Sequence, residues 1–149
     1  MPPTFRQQRL VKAGILAVAV LLIGVAGTVL VAFPPTEMSF YPKCQLHSLT
    51  GLHCPGCGMT RFVAAALQGD VAQAAAYNAL GLIALPFVTV WGLQQVWAWL
   101  WGTTPRRWFA PKWHGRVTTV FLVVLAAFFV LRNVPAEPFT LLAPHELTR

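Results

Sequence analysis

The sequence predicts an all-α integral membrane protein with three transmembrane helices, an extracytoplasmic cysteine hairpin and a short amphipathic helix. Of its 149 residues, 56% are hydrophobic and only 10% are charged, whereas a soluble domain carries about 25% charged residues. Three uncharged apolar runs are separated by polar segments, and all three cysteines lie within residues 44–57. A water-soluble globule of this composition would lack the polar surface to cover itself, so that class is disfavoured.

The first apolar run, Ala13–Phe33, has 21 residues without a charge. At about 1.5 Å per residue it spans a hydrocarbon core of about 30 Å. Arg6, Arg9 and Lys12 precede it, as basic residues precede a signal sequence. Because the run exceeds the apolar stretch of about 7–15 residues typical of a signal peptide, we expect a retained helix over about 13–33.

The second apolar run covers residues 79–102. Together with the Ala-rich residues before it, this run predicts a helix over about 71–102. Pro86 lies inside the run and predicts a kink.

The third apolar run, 117–131, is short for a membrane span. Arginines at both ends can extend toward the headgroups and lengthen its reach. We therefore expect a third helix over about 116–132, followed by an outer tail over 133–149. Residues 1–149 would then form a single membrane domain.

Charged residues are distributed unequally between the two sides of this predicted domain. One side carries seven basic residues and no acid: Arg6, Arg9, Lys12, Arg106, Arg107, Lys112 and Arg116. The other side carries four basic residues and all four acids: Lys43, Arg61, Arg132, Arg149, Glu37, Asp70, Glu137 and Glu146. The positive-inside rule predicts a multi-pass protein of the inner or plasma membrane, with a cytoplasmic N-terminus and an extracytoplasmic cysteine segment and C-terminus.

The tryptophans agree with this orientation. Five of the six cluster around the predicted cytoplasmic end of the second helix: Trp97, Trp99, Trp101, Trp108 and Trp113. Tryptophan prefers the headgroup level, so the cluster is typical of an interfacial belt. The basic residues flank apolar runs and form no basic stripe with interleaved aromatic rings, so nucleic acid is not an expected partner despite the net charge of +7.

The cysteine segment has a spacing suited to metal binding. In Cys54-Pro-Gly-Cys57-Gly58 two thiolates can face one ion, while the glycine permits close backbone approach. Cys44 and His47 repeat the two-residue spacing. Cys44, His47, Cys54 and Cys57 are therefore candidate ligands for zinc or another thiophilic metal. The Pro-Gly turn is expected to bring the three thiols together.

Other states of the cysteines stay open. An extracytoplasmic compartment often oxidises thiols, so a disulfide among Cys44, Cys54 and Cys57 is the main alternative, with one thiol left unpaired. Redox-active thiols and an unreactive turn are further alternatives. Gly58, and not a histidine, follows the second cysteine of the pair, which disfavours haem attachment. His53 is expected to be a bystander.

The cysteine motif and a short amphipathic helix after it are predicted over about 40–69. The apolar stripe of this helix has helical spacing and should be buried against lipid or the second helix: Met59, Phe62, Val63, Ala66 and Leu67. Gly69 fits its C-terminal end, and Asp70 fits the N-cap of the next helix. Two roles are open for Arg61. It can pair with an anion or a thiolate, or it can donate to loop carbonyls. Asn78 is expected to cap a helix or bind backbone.

Residues 44–78 resemble the bacterial membrane family known as domain of unknown function 2752. Its pattern contains a Cys, then Thr-Gly, Cys-Pro-Gly-Cys-Gly-x-Thr-Arg, Gly-Asp or Gly-His, and Asn-Pro. The matching residues here are Cys44, Thr50, Gly51, Cys54, Pro55, Gly56, Cys57, Gly58, Thr60, Arg61, Gly69, Asp70 and Asn78. Ala79 replaces the family's Pro, and Arg132-Asn133-Val-Pro135 resembles its closing Arg-Asn-x-Pro segment. The resemblance implies a small helical membrane protein and supplies no activity.

The combined prediction is a small polytopic membrane protein, an accessory or assembly subunit whose outer cysteine hairpin is clamped by a disulfide or metal. The alternative is a thiol-redox or metal-handling protein that uses Cys44, Cys54 and Cys57. No Ser/His/Asp set is apparent, which disfavours a hydrolytic enzyme, and we expect no catalytic residue. The expected partners are the lipid bilayer and either another membrane protein or a second copy of the chain.

Overall fold

The computed structural model describes residues 5–35, 41–104 and 114–147, and every regular element in these ranges is helical. Six α-helices follow in order: α1 (Phe5–Ala32), α2 (Gln45–Thr50), α3 (Met59–Leu67), α4 (Val71–Tyr77), α5 (Ala79–Trp101) and α6 (His114–Leu131). A short 3-10 helix covers Phe139–Leu142. The prediction of an all-helical chain is confirmed for the described ranges.

Two helices, α1 and α5, are long and apolar enough to cross a membrane, and α6 is apolar but shorter. Their apolar side chains largely face outward. Leu21 is 66% exposed and Ile23 is 71% exposed, and the same holds along most of α1. A folded soluble protein does not leave so large an apolar surface in water. The two candidate spans therefore indicate a membrane protein.

α1 and α5 lie side by side, with the start of α1 next to the end of α5. Lys12 Nζ donates to the carbonyl oxygen of Trp99 at 2.7 Å. The guanidinium of Arg9 lies 5.3 Å from the ring centroid of Trp101. These contacts bring the basic start of α1 and the tryptophans of α5 to the same end of the molecule.

Several residues used in the orientation prediction lie outside the described ranges. They are Glu37, Arg106, Arg107, Trp108, Lys112, Trp113 and Arg149.

α3 and α4 form a helical hairpin. Gly69 has a φ of 78° and donates its N–H to the carbonyl oxygen of Ala66 at 3.1 Å, while Asp70 N–H donates to Ala65 at 2.9 Å. This pair of hydrogen bonds ends α3 in a Schellman motif. The Asp70 carboxylate accepts from Gln73 N–H at 3.0 Å and caps α4. Both residues therefore take the capping roles expected from the sequence.

The buried face of α3 contains part of the predicted stripe. Phe62 is buried with Ala65 and with Ala74 of α4, because α4 folds back on α3. Met59 is 38% exposed, but its Cε lies 3.3 Å from a Cβ placed at Gly81 of α5. Leu67 is 55% exposed, so its burial against lipid stays a prediction.

The helix predicted over about 71–102 is two helices in the structure. Asn78 separates them with an extended backbone, φ −160° and ψ 94°. Its side chain accepts from Gly81 N–H at 2.8 Å and caps α5. An asparagine that binds nearby backbone competes with the helical hydrogen bonds, which explains the break.

Candidate metal centre

The three cysteine sulfurs meet between α2 and α3. Cys44 directly precedes α2, and Cys54 and Cys57 flank the turn before α3. Cys54 Sγ lies 3.4 Å from Cys44 Sγ and 3.4 Å from Cys57 Sγ. All three sulfurs lie within 4.8 Å of one another, and all three are free thiols. The predicted convergence of the thiols is confirmed.

A tight turn places the last two sulfurs; we call its residues 54–57 the knuckle. Cys57 N–H donates to the Cys54 carbonyl oxygen at 2.9 Å and closes the turn. In return, Cys54 N–H donates to Cys57 Sγ at 3.2 Å. Backbone donors directed at sulfur are typical of a metal-binding knuckle, because they stabilise a coordinating thiolate.

The thiols differ in acidity. Hydrogen bonding from the backbone N–H of His47, together with the neighbouring thiols, lowers the pKa of Cys44 to about 7. Burial raises the pKa of Cys57 to about 12, and its hydrogen bonds with the other two thiols act in the same direction. In the reduced, metal-free centre Cys44 is therefore a far stronger acid than Cys57.

The carbonyl oxygens of the knuckle are bound by two side chains from distant parts of the chain. Asn78 Nδ2 donates to the carbonyls of Pro55 at 2.9 Å and Cys57 at 3.3 Å. Arg132 donates from Nη1 to Cys54 at 2.8 Å and to Pro55 at 3.3 Å. Its Nη2 donates to Cys57 at 3.3 Å. Asn78 is 1% exposed and Arg132 is 2% exposed, so these bonds are shielded from water.

Asn133 holds the residue before the knuckle. Its Oδ1 accepts from His53 N–H at 2.8 Å, and its Nδ2 donates to the His53 carbonyl at 2.9 Å. The Nδ2 also donates to Phe129 at 2.7 Å, which fixes the amide to the last turn of α6. The residues that follow α6 thus position the backbone of the segment that carries Cys54 and Cys57.

Gly58 allows a close backbone approach after the knuckle. Its φ is 81°, and a Cβ placed there would collide with the carbonyl oxygen of Tyr77 and lie 3.2 Å from Pro144. Two features therefore require the glycine that the sequence predicts here. Its φ is positive, and no space is left for a Cβ.

His47 lies beside the thiols but is not one of the groups whose ligand atoms converge. Its ring stacks on that of His53, with centroids 4.3 Å apart. A cleft of about 590 Å³ opens over the cysteines and is also lined by both histidines, Lys43 and Arg61. The centre is thus accessible from one side.

Arg61 donates to a backbone carbonyl, which is one of the two roles predicted for it. Its Nε donates to the Pro35 carbonyl oxygen at 3.1 Å, and its guanidinium lies 6.0 Å from the Tyr77 ring centroid. Arg61 therefore connects the segment after α1 to the hairpin of α3 and α4.

The remaining motif residues shape the backbone around the centre. Thr50 Oγ1 donates to the Leu46 carbonyl at 2.7 Å, and Gly51, with a φ of 74°, ends α2. Gly56 and Thr60 line the cleft. These residues return the chain from Cys44 to Cys54.

The spacing of the three thiols is compatible with one metal ion. Zinc–sulfur bonds of about 2.3 Å in a tetrahedron place two sulfurs about 3.8 Å apart. Two of the three sulfur separations are 3.4 Å, near that value. The three sulfurs can occupy three positions around an ion, and the cleft gives access to a fourth.

The fold and the centre define a small helical membrane protein with a three-cysteine cluster. The sequence model of the family described as a protein of unknown function, DUF2752, matches residues 44–92, about a third of the chain. This match confirms the resemblance to that family and ends before Arg132 and Asn133. Comparison with curated proteins and with solved structures yields no match.

The sequence did not reveal two supporting residues of the site. Gln73 of α4 donates to the His145 carbonyl at 3.0 Å and accepts from Leu147 N–H at 3.0 Å. These bonds hold the segment that carries Pro144 against Gly58. Neither Gln73 nor Pro144 belongs to a motif, so no local signal identified them.

Proposed function

We propose that the protein is an accessory or assembly subunit of the inner or plasma membrane whose outer cysteine hairpin is clamped by a thiophilic metal, with zinc as the leading candidate. Cys44, Cys54 and Cys57 are the ligands. The observation that carries the proposal is the convergence of three free thiols within 4.8 Å. A single disulfide would use only two of them, whereas one ion uses all three.

The proposed topology has three spans, α1, α5 and α6, in one membrane domain with a cytoplasmic N-terminus. The contact of Lys12 with Trp99 supports a common membrane face for the start of α1 and the end of α5. The contact of Arg132 with Cys54 supports a common opposite face for the end of α6 and the cysteines. The excess of basic residues near the first face supports its cytoplasmic location.

Metal binding by the full chain in detergent tests this proposal. The reduced, metal-free protein is titrated with Co²⁺ and then with Zn²⁺, and bound metal is measured by elemental analysis and by the cobalt–thiolate absorption. We expect one ion per chain. Cys44→Ser, Cys54→Ser and Cys57→Ser should each greatly weaken binding, and double variants should add little, because the site fails as a unit.

His47→Ala serves as the comparison variant. It leaves all three thiols in place and reports whether His47 supplies a fourth ligand. Protein that binds no metal when reduced, and that is isolated with an intact disulfide, would contradict the metal clamp.

Thiol–disulfide exchange is a second candidate function, favoured by the central position of Cys54 between two sulfurs at 3.4 Å. The Cys44 thiolate would attack a disulfide of an exported protein, forming a mixed disulfide and releasing one thiolate of that protein. Cys54 would then attack the Cys44 sulfur, forming a Cys44–Cys54 disulfide and releasing the second thiol. Two electrons pass from the cysteine pair to the substrate.

A trapping experiment separates the two candidates. In the double variant Cys54→Ser/Cys57→Ser no neighbouring thiol can resolve the mixed disulfide at Cys44, which should accumulate when the protein is mixed with a disulfide-bonded model peptide. The Cys44→Ser variant is the control. No mixed disulfide in the double variant, with full metal binding in the unaltered chain, leaves the metal clamp alone.

A further inference from the structure

Arg132 carries a buried positive charge for which the described residues provide no carboxylate. Its side chain is 2% exposed, and the atoms that accept from it are the carbonyl oxygens of Cys54, Pro55 and Cys57. Its Nε is buried and has no hydrogen-bond partner among the described residues. The carbonyls and the Phe128 ring, whose centroid lies 4.8 Å from Arg132 Cζ, are favourable neighbours of the guanidinium but carry no negative charge. A buried charge without an opposite charge beside it is costly.

Among the described residues, the groups next to the Arg132 contacts that can become anionic are the three thiols. The guanidinium binds the carbonyls of two of the cysteines directly. The buried guanidinium therefore lies against the backbone that carries two of the three thiols.

The charge count depends on the ion. Three thiolates with one divalent cation carry a net charge of −1, and the buried guanidinium of Arg132 brings the total to zero. Lys43 and Arg61 also line the cleft, but Lys43 is exposed and Arg61 is half-buried, so water screens their charges more strongly than that of Arg132. A monovalent cation on three thiolates leaves an excess negative charge, and a trivalent one leaves an excess positive charge. A buried centre is most stable when its charges cancel.

We propose that Arg132 is the counter-ion of the three-cysteine centre: its buried guanidinium balances the single negative charge of three thiolates around one divalent cation. This inference rests on the proposed metal clamp and assigns Arg132 a positioning and charge-balancing role beyond holding the knuckle carbonyls. It also implies a neutral fourth ligand on the side of the cleft.

Charge and hydrogen bonding can be separated by three variants of the full chain in detergent. Arg132→Gln removes the charge and keeps an amide donor. Arg132→Lys keeps the charge and loses the fork of donors. Thr119→Ala is the structural control, since it removes a hydrogen bond within α6 without changing any charge, and Thr119 does not line the cysteine cleft. The probe is Co²⁺, whose thiolate charge-transfer absorption per bound ion reports the number of coordinating thiolates.

We expect the unaltered chain, Arg132→Lys and Thr119→Ala to show the same absorption per cobalt. Arg132→Gln should bind cobalt about 10–100-fold more weakly, the loss typical of a disrupted outer shell, and should show a lower absorption per ion. The melting temperature of each variant is measured in parallel, so that a loss of stability is distinguished from a loss of coordinating thiolates.

The outcomes are distinguishable. Absence of cobalt binding by the unaltered chain overturns the metal clamp and this inference together. If the unaltered chain binds cobalt and Arg132→Gln binds it with the same spectrum and the same affinity, the inference about Arg132 is overturned and the metal clamp is not. If Arg132→Gln does not fold, the lysine variant decides: a loss of thiolate absorption in Arg132→Lys shows that the fork of hydrogen bonds, and not the charge, is what the centre requires.

Discussion

Asn133 and His53 lie 80 residues apart in the chain and bind each other through two hydrogen bonds. The Asn133 amide accepts from the backbone N–H of His53 at 2.8 Å and donates to its carbonyl at 2.9 Å, as a neighbouring strand would. One side chain thus satisfies the donor and the acceptor of the residue that enters the knuckle. The position of Cys54 depends on it.

Asn133→Ala should destabilise the protein by about 1–3 kcal/mol, because both polar groups of a half-buried backbone unit lose their partner. Thr119→Ala on the preceding helix α6 is the control, since it loses one hydrogen bond to the Gly115 carbonyl. The free energy of unfolding in detergent measures both. Equal effects of the two substitutions would show that the Asn133 pair adds nothing specific.

Gly58→Ala should cost about 3 kcal/mol or more, since strain at positive φ is joined by a collision with the Tyr77 carbonyl. Gly69→Ala is the matched control, because Gly69 has a similar φ of 78° but nothing within 4 Å of a Cβ. It should lose only about 1–2 kcal/mol. Thermal unfolding ranks the two, and the reverse order would contradict the close approach.

Phe62→Ala should destabilise the hairpin of α3 and α4 by about 3–5 kcal/mol, as expected when a fully buried aromatic ring is removed. Phe62 is 3% exposed, while Leu67 on the same helix is 55% exposed. Leu67→Ala should therefore cost less than about 1 kcal/mol. The melting temperatures of the two variants are compared. A larger decrease for Leu67→Ala than for Phe62→Ala would contradict the described packing.

Alkylation of the reduced, metal-free protein should follow the acidity of the thiols. Because the pKa of Cys44 is lowered to about 7, its reaction with iodoacetamide should be half-maximal near pH 7 and slow down as the pH falls further. The raised pKa of Cys57, about 12, should keep it unreactive at neutral pH. Peptide mass spectrometry measures each site, and unfolding the chain in denaturant is expected to remove the difference. Equal rates in the folded protein would contradict the described environment.

A reporter enzyme that works only outside the cytoplasm should be active when fused to the C-terminus and inactive when inserted between α5 and α6. The reason is that three spans with a cytoplasmic N-terminus place these two points on opposite sides. Activity is compared at equal expression. Cytoplasmic activity at the C-terminus would remove one span, with the short α6 as the first candidate.

Local sequence signals predicted those parts of the structure that depend on neighbouring residues. The apolar runs located α1, α5 and α6, and the spacing around Pro55 and Gly56 predicted that the thiols converge. Capping by Asp70 follows from its own short side chain. Each of these features is determined within a few residues of the chain.

The rest required contacts between distant segments. The periodicity of α3 predicted the burial of Phe62, but the burial of Ala65 depends on how α4 folds back, and no pattern within α3 contains that information. The family resemblance included Arg132 and Asn133, but not the groups they bind, because their partners lie 75–80 residues earlier. The role of His47 beside the cysteines, stacked on His53, was equally invisible in the spacing alone.

The late position of Arg132 and Asn133 sets an order of biosynthesis. All three cysteines are translated long before these two residues, so the growing chain presents its thiols on a segment whose carbonyls still lack their final donors. The centre reaches its finished shape only after α6 has been made. If a metal bound or a thiol pair were oxidised before that, the cysteine segment would still lack its final conformation. Correct maturation of the centre therefore has to wait until α6 has been synthesised.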